Sequence, residues 1–227
     1  MNITASFKKA LLVGMASLLC AASVISCAKG GDVHLKPHDK YGLYNAKTKI
    51  SYSHASPVYE ATSLLKECGK LTVTDSESYV LYTIPGTKPE DMMATEDFNI
   101  VYSSELDMPT LQEMAPTIIR VCNDSMEMKR MEDAAVVAAV VKTYVEGTSL
   151  DYPGITPQRS YKARFESLDH PGFYYTLTYV EYAQDLVVED VNYGRYFLYN
   201  AFERRFVPAG EAINKALDSA TLPGEDS

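Results

Sequence analysis

Residues 173–182 read FYYTLTYVEY, and this stretch decides how the second half of the chain is organised. Every second residue from Phe173 to Tyr179 is large and apolar or aromatic, and side chains alternate between the two faces of a strand. The stretch is therefore predicted to be a strand with one buried face. Packing within the protein is the preferred explanation for its outward tyrosines, Tyr174 and Tyr182, and stacking against a sugar or a peptide is the alternative.

Segments on both sides of this strand alternate in the same way. Residues 160–167 read SYKARFES and residues 195–199 read RYFLY, while DHPG at 169–172 is a ready turn between the first two strands. Residues 209–217 are predicted to form a helix after the last strand. We therefore predict an antiparallel β meander with a closing helix over residues 158–219.

The region before the meander indicates helices and a boundary. Residues 147–158 hold two glycines and two prolines, which is typical of a boundary. Residues 131–147 are ambiguous, because their length and alanine content favour a buried helix whereas their valines favour a strand; we prefer the helix. Apolar residues at helical spacing predict an amphipathic helix over 109–122, which Pro116 could kink. A helical connector is therefore expected over 107–147.

The region from residue 41 to residue 106 consists of short extended segments between turns. Residues 42–53 read as two strands around a turn, residues 71–85 as another pair, and residues 98–106 as a fifth strand. Short strands this close together predict a small β domain over 41–106, either a barrel or a sandwich. The chain is thus expected to be α+β, with this domain first, the helical connector next and the β meander last.

Part of this β domain, residues 45–84, resembles a bacterial SH3-like module. Ile50, Pro57-Val58 and the segment LLKECGKLTV at 64–73 are similar to the variable loop and the apolar-Lys-x-x-Gly-x-apolar-x-Val segment of such repeats. No arginine follows the first strand, and Tyr79 stands where a tryptophan is usual. The resemblance implies a barrel whose loops line a ligand groove, often for cell-wall peptides, but it assigns no binding residue in this chain.

The amino-terminal residues 1–26 have the order of a secretory signal peptide. Lys8 and Lys9 precede residues 10–25, which carry no charge. This run has 16 residues, whereas a membrane-spanning helix needs about 20. We therefore predict a signal that is cleaved after export.

The sequence Val24-Ile25-Ser26-Cys27 resembles the lipobox of bacterial lipoproteins, with a branched apolar residue three positions before the cysteine and a small residue next to it. The resemblance implies cleavage before Cys27, a thioether-linked diacylglycerol on its sulfur and an acyl chain on the new amino terminus. Two or more chains anchor a protein stably in the lipid bilayer. Ala28, where an aspartate would favour the inner membrane, favours the outer membrane of the bacterial cell envelope. An ordinary signal peptide with a coincidental cysteine is the alternative.

Residues 27–40 are predicted to be a lipidated, flexible tether. They hold two glycines, one proline and several charges without apolar periodicity. His34 and His38 have the spacing of a helical metal pair, but Pro37 disfavours a helix there. No metal site is therefore expected.

Two cysteines remain in the mature part once Cys20 leaves with the signal and Cys27 carries the lipid. In an oxidising compartment, Cys68 and Cys122 are candidates for a disulfide, which would stabilise the fold by roughly 4 kcal/mol on the chain-entropy model. Two buried thiols are the alternative, because sequence spacing does not show that the two Cα atoms are close.

The mature part is strongly acidic. Removing residues 1–26 takes away two lysines and no acids, which leaves 19 basic and 30 acidic residues and a formal net charge of −11. Nucleic acids and anionic headgroups both require a basic surface. Neither is therefore an expected partner.

Motifs of known enzymes are missing from the sequence. Ser63-Leu64-Leu65-Lys66 matches the Ser-x-x-Lys pattern of serine acyl-enzymes, but its companion motifs are missing. His54 could lie near a strand edge, although nothing marks a nucleophile for it. One acidic cluster could in principle act on a glycan but is more typical of a solvated surface: Asp185, Glu189 and Asp190. We predict no catalytic, cofactor-binding or metal site, and no enzyme activity.

These observations favour a non-enzymatic binding or interaction module of the bacterial cell envelope. It would be held at the bilayer by acylated Cys27 and would bind a protein, peptide or glycan partner. A structural accessory subunit of an envelope assembly is the alternative. A hydrolase whose residues converge only in three dimensions is a third.

Metabolic labelling with an alkynyl fatty acid tests the lipid anchor. We expect the wild-type chain to be labelled and the Cys27→Ala variant to remain unlabelled, because the thioether requires that sulfur. Cys20→Ala is the matched control and should be labelled like the wild type. Equal labelling of the wild type and Cys27→Ala would refute the anchor.

Overall fold

The computed structural model describes residues 33–39, 42–55, 57–123 and 126–218 of the chain. In these residues most of the regular structure is β-strand, and two helices pack against one of the sheets. The predicted α+β class is therefore confirmed. The predicted signal peptide and Cys27 lie outside the described residues.

The first part of the described chain folds into a closed barrel, as the predicted barrel or sandwich allowed. Its strands are β1 (Val33–His38), β2 (Gly42–Asn45), β3 (Ile50–His54), β5 (Glu67–Thr72), β6 (Ser78–Tyr82), β7 (Met92–Thr95) and β8 (Ile100–Ser103). They follow the order β1-β2-β3-β8-β7-β6-β5, and a parallel pairing of β1 with β5 closes the ring. The interior is filled by buried side chains: Leu35, Leu43, Tyr52, Leu71, Leu81, Met93 and Val101.

Strand β1 corrects the prediction of a flexible tether over residues 27–40. Residues 33–38 pair with both β2 and β5, and Leu35 is fully buried in the barrel. Most other residues of the strand are exposed, and Pro37 and the charges conceal the alternation from sequence analysis. His34 and His38 therefore lie on a strand and not on a helix.

The second part is an antiparallel sheet. Its strands are β9 (Ile118–Asn123), β10 (Met126–Met131), β11 (Arg159–Glu166), β12 (Phe173–Glu181), β15 (Tyr196–Asn200) and β16 (Arg205–Pro208), in the order β10-β9-β11-β12-β15-β16. A short hairpin, β13 (Val187–Val188) with β14 (Val191–Asn192), lies between β12 and β15. The predicted meander is confirmed, and so is its buried face from Phe173 to Tyr179.

Helices α1 (Ala134–Glu146) and α2 (Gly210–Asp218) cover the inner face of this sheet. The side chain of Asp133 caps α1 by accepting hydrogen bonds from the backbone N–H groups of Ala135 and Val136. The helix predicted within 131–147 and the closing helix are thus confirmed. No helix in the described part of the chain is long and apolar enough to cross a membrane.

The helix predicted over residues 109–122 is wrong. A turn spans residues 111–114, Ala115 has a φ of 45°, and Pro116 follows, so the chain leaves helical geometry before β9 begins. The apolar residues Ile119 and Val121 instead alternate into the sheet core as strand residues. The connector predicted over 107–147 therefore contributes a strand pair and one helix.

A three-residue strand, β4 (Tyr59–Ala61), joins the barrel to the sheet. It pairs with β12 on one side, and on the other side Glu60 forms a bridge with Asn99, which precedes β8. Barrel and sheet also share a core, in which Ile84 and Ile100 belong to the barrel region. The region predicted as a small β domain over 41–106 therefore shares part of its core with the larger sheet. Its resemblance to an SH3-like module over residues 45–84 stays a prediction.

Both edges of the sheet are protected against further pairing. At the β16 edge, the backbone N–H of Leu150 donates to the carbonyl of Phe206 at 2.7 Å. At the other edge, β10 carries Glu127, Lys129 and Arg130, and its register with β9 shifts between Glu127 and Lys129. Bulges and charges of this kind discourage the addition of another strand.

Substituting Gly69 tests the closure of the barrel. A Cβ on Gly69 would lie 2.0 Å from the carbonyl oxygen of Val33 across the β1–β5 pairing, so the two backbones would have to separate. We expect Gly69→Ala to lower the free energy of unfolding by about 1–3 kcal/mol in urea titrations, as overpacking does. The neighbouring, exposed Lys70→Ala should change it by less than about 0.5 kcal/mol. Equal effects of the two variants would contradict the role of Gly69.

Candidate binding groove

The sheet has a seam on one edge of β12. Strand β4 pairs with residues 173–175 of β12, and β15 pairs with residues 178–181, so two strands meet end to end along the same edge. A pocket of about 300 Å³ opens at this junction. Its walls come from β4, β11, β12 and the end of β15, and include Glu60, Lys162, Thr176 and Tyr199.

A second pocket, of about 390 Å³, lies beside the first on the barrel. It is lined by the end of β3, the β5–β6 turn and the β7–β8 turn, which contribute His54, Glu77 and Thr95. Both pockets are lined by Pro57, Asp97 and Asn99. We call the two together the groove, with a sheet half and a barrel half that meet at Asp97.

Two buried hydroxyl groups in the groove have no hydrogen-bond partner within the described part of the chain. Thr95 Oγ1 belongs to the barrel half and Thr176 Oγ1 to the sheet half. Thr95 as a whole is only 3% exposed. A buried polar group without a partner costs roughly 1–3 kcal/mol, so a ligand that bonds to it gains from the contact.

The turn between the two halves is held in a strained conformation. Phe98 lies between Asp97 and Asn99 and has a φ of 63°, which is rare for a bulky residue. Its N–H donates to the carbonyl of Thr95 at 2.9 Å, and its own carbonyl accepts from Ala61 N–H at 3.0 Å. These bonds fix Asp97 at the meeting point of the two halves. Strain of this kind is often found at ligand sites.

The wall of the sheet half is fixed by an ion pair. Arg164 donates from Nη2 to Glu60 Oε1 at 2.6 Å and from Nε to Oε2 at 3.0 Å, and Lys162 Nζ lies 3.6 Å from Oε1. The Arg164 guanidinium also lies over the ring of Tyr174, 5.7 Å from its centroid. Glu60 is therefore compensated by two cations.

The acids of the barrel half have fewer partners. Glu77 Oε1 accepts a hydrogen bond from the hydroxyl of Tyr79 at 2.6 Å, and this bond, with the charge of Glu77, raises the pKa of Tyr79. Asp97 makes no ion pair among the residues the structure describes. The barrel half therefore has excess negative charge.

Tyr59 forms the inner wall at the seam. Its ring packs edge-on against Phe173 and Tyr175, and its hydroxyl donates to the carbonyl of Pro109 at 2.8 Å. Burial and the negative charge of Glu203 raise the pKa of Tyr59 to about 12. The side chain therefore stays neutral and fixed.

A polar cluster behind the seam holds the β15–β16 turn in place. Glu203 accepts hydrogen bonds from the hydroxyls of Tyr144 at 3.0 Å and Tyr175 at 3.1 Å. Asn200 Oδ1 accepts from the backbone N–H groups of the turn, and Arg205 donates to the carbonyl of Tyr144 at the end of α1. The end of the groove formed by this turn is therefore anchored to the helix.

The two cysteines proposed for a disulfide lie in different sheets. Cys68 is on β5 of the barrel and Cys122 on β9, and the structure contains no bond between them. Instead, the sulfur of Cys122 accepts a hydrogen bond from Arg164 Nη1 at 3.7 Å, and burial raises the pKa of this thiol. The crosslink stays a prediction from sequence.

The tyrosines expected to face outward differ in their surroundings. Tyr174 is half-buried beneath Arg164, as the contact above requires. Tyr182 is 4% exposed and packs edge-on against Phe197 and Phe206. Tyr182 therefore does not offer a free surface for stacking against a ligand, because a second small core covers this part of the outer face.

The other residues weighed from sequence are dispersed. Among the residues weighed for catalysis or metal binding, His54 lines the groove, whereas Ser63 and Lys66 lie in the loop between β4 and β5 without the helical spacing their motif needs. The acids of the 185–190 cluster are exposed in and beside the β13–β14 hairpin. In the described ranges, no group of three or more His, Cys, Asp or Glu residues could hold a metal ion.

Sequence reasoning missed most of the groove, because its residues come from six separate parts of the chain. Thr95, Asp97 and Thr176 carry no local signal. No protein-family model, curated protein or solved structure matches the chain. The function proposed below therefore rests on the chain's own residues.

The alkaline stability of the protein tests the environment of Tyr59. Between pH 10 and 12 the unfolded chain loses the Tyr59 proton and the folded chain keeps it, so the free energy of unfolding should fall as the pH rises. We expect Tyr59→Phe to make this fall less steep by up to about 1.4 kcal/mol per pH unit in urea titrations. At pH 8, the difference in the free energy of unfolding between the wild type and Tyr59→Phe gives the cost of the lost hydrogen bond. An unchanged slope would contradict the raised pKa.

Proposed function

We propose that the chain is an exported lipoprotein that acts as a non-enzymatic binding module of the bacterial cell envelope. The lipobox-like sequence ending at Cys27 supports the lipid anchor, and Ala28 favours the outer membrane. The six Cα–Cα steps from Cys27 to Val33 span at most roughly 20 Å. A lipid on Cys27 would therefore keep the barrel close to the bilayer.

The groove is the observation that carries the proposal. Its halves have volumes of about 300 and 390 Å³, which lie in the range of ligand sites. The groove combines buried hydroxyls, an acid without an ion pair and aromatic walls, so that it offers a ligand both hydrogen bonds and apolar contact. These features suit recognition of a peptide, glycan or protein segment.

The groups in the groove favour binding over catalysis. A hydroxyl nucleophile needs a base within hydrogen-bond reach. Thr95 Oγ1 and Thr176 Oγ1, the buried hydroxyls of the two halves, make no hydrogen bond within the described residues. The excess of acids on the chain also disfavours nucleic acid as the partner.

A structural accessory subunit of an envelope assembly is the second candidate, and the β13–β14 hairpin favours it. Val187, Val188 and Val191 are 58%, 41% and 49% exposed, which makes an apolar surface on a projecting hairpin. Exposed apolar patches often mark contacts with other proteins. In this candidate the hairpin, and not the groove, would contact the partner.

Photo-crosslinking in cells distinguishes the two candidates. A benzophenone amino acid at Phe202, which is 65% exposed and lines the sheet half, should give a discrete adduct. The same group at Leu168, which is 77% exposed and outside the groove, is the matched control and should give none. Adding Asn99→Arg to the Phe202 variant should abolish the adduct by filling the groove. An adduct only from Val187, or equal adducts from all positions, would overturn the groove as the binding site.

A further inference from the structure

We propose that the barrel half of the groove binds a cationic nitrogen group, an alkylammonium or a guanidinium, between the Asp97 carboxylate and the Thr95 hydroxyl. The inference rests on the proposed binding function and names the chemistry that the groove selects. Three independent features of the barrel half support it: its charge, a buried hydroxyl without a partner, and the shape of its walls.

The negative charge of the barrel half favours a cationic ligand. Glu77 and Asp97 both line it, and His54 is the one basic side chain among its lining residues. The contrast with Glu60 is informative, because Glu60 is already compensated by Arg164 and Lys162. Asp97 makes no such pair within the described residues, so its carboxylate is available to a ligand.

The hydroxyl of Thr95 favours a ligand group that can form a hydrogen bond with it. It is buried, lines the barrel half and has no hydrogen-bond partner among the described residues. A hydroxyl oxygen can accept a hydrogen bond from an N–H group, and an ammonium carries three such donors while a guanidinium carries five. An ammonium or a guanidinium therefore carries enough donors for both Thr95 and Asp97, which line the same half of the groove.

The walls of the barrel half suit the carbon chain that carries such a group. Pro57, Val73 and Tyr79 supply apolar and aromatic surface. An aromatic ring attracts a cation that lies over its face. Because Pro57, Asp97 and Asn99 are shared with the sheet half, a longer ligand can continue towards Thr176 and Thr178. A lysine or arginine side chain on an extended peptide has this shape, and a free diamine has its cationic part alone.

Titration calorimetry and amide chemical shifts of the purified chain in detergent test the proposal. The probes are the acetylated and amidated tripeptides Ala-Lys-Ala, Ala-Arg-Ala and Ala-norleucine-Ala, together with free 1,5-diaminopentane. We expect the lysine and arginine peptides to bind and to shift the amide signals of Asp97 and Asn99. Binding of the peptides but not of the diamine identifies a peptide as the source of the cation, and the reverse identifies a small amine.

Matched variants locate the site. Asp97→Asn should weaken binding of the cationic probes by roughly tenfold or more, because a hydrogen bond to a charged group is lost. Thr95→Val keeps the shape of the side chain and should also weaken binding, by a smaller factor. Asp190→Asn removes the same charge from the exposed tip of the β13–β14 hairpin and should leave binding unchanged.

The possible results separate this inference from the proposed function. Equal binding of the norleucine and lysine peptides at the groove would overturn the cation site and leave the binding module in place. Equal losses in Asp97→Asn and Asp190→Asn would show attraction to overall charge and would overturn the site as well. No binding of any cationic probe, with a groove adduct in the crosslinking experiment, would overturn the cation site alone.

Discussion

The structure depends on the ion pair between Glu60 and Arg164. Both side chains are less than a fifth exposed, and two short hydrogen bonds join them. The pair is partly buried, so removing one partner leaves a partly desolvated charge with less compensation, which destabilises the fold. The pair holds β4 against the sheet, and β4 in turn holds the β7–β8 turn. Together with the backbone pairing of β4 to β12 and the shared core, the pair connects barrel and sheet and supports the wall of the groove.

The alternation of apolar and polar residues made much of the fold predictable from the sequence. Features that depend on contacts between residues far apart in the chain could not be predicted. Strand β12 has a strict period of two, because one face is buried along its whole length, and sequence reasoning identified it. Strand β4 has only three residues, too few for a pattern. The segment 109–122 fitted helical spacing, yet its apolar residues serve a turn and a strand, because Pro116 and Ala115 interrupt the helix. The groove escaped prediction, since residues as distant as Pro57 and Thr176 meet only after folding.

Several charges of the larger sheet are paired within the protein. Arg120 bonds to Glu127 and Glu166, while Arg159 and Arg195 both approach Glu181. Asp97 does not belong to these pairs and lies at a strained turn where the barrel and the larger sheet meet.

The edges of the sheets determine how the protein behaves when many copies are crowded together. A closed barrel offers no open row of backbone donors and acceptors. The larger sheet has two edges, of which one is covered at Leu150 and the other carries charged side chains and a register shift in β10. Copies concentrated on a surface therefore find few open strand edges on the barrel and the larger sheet. Along these two sheets, contacts between crowded molecules are left mainly to side chains.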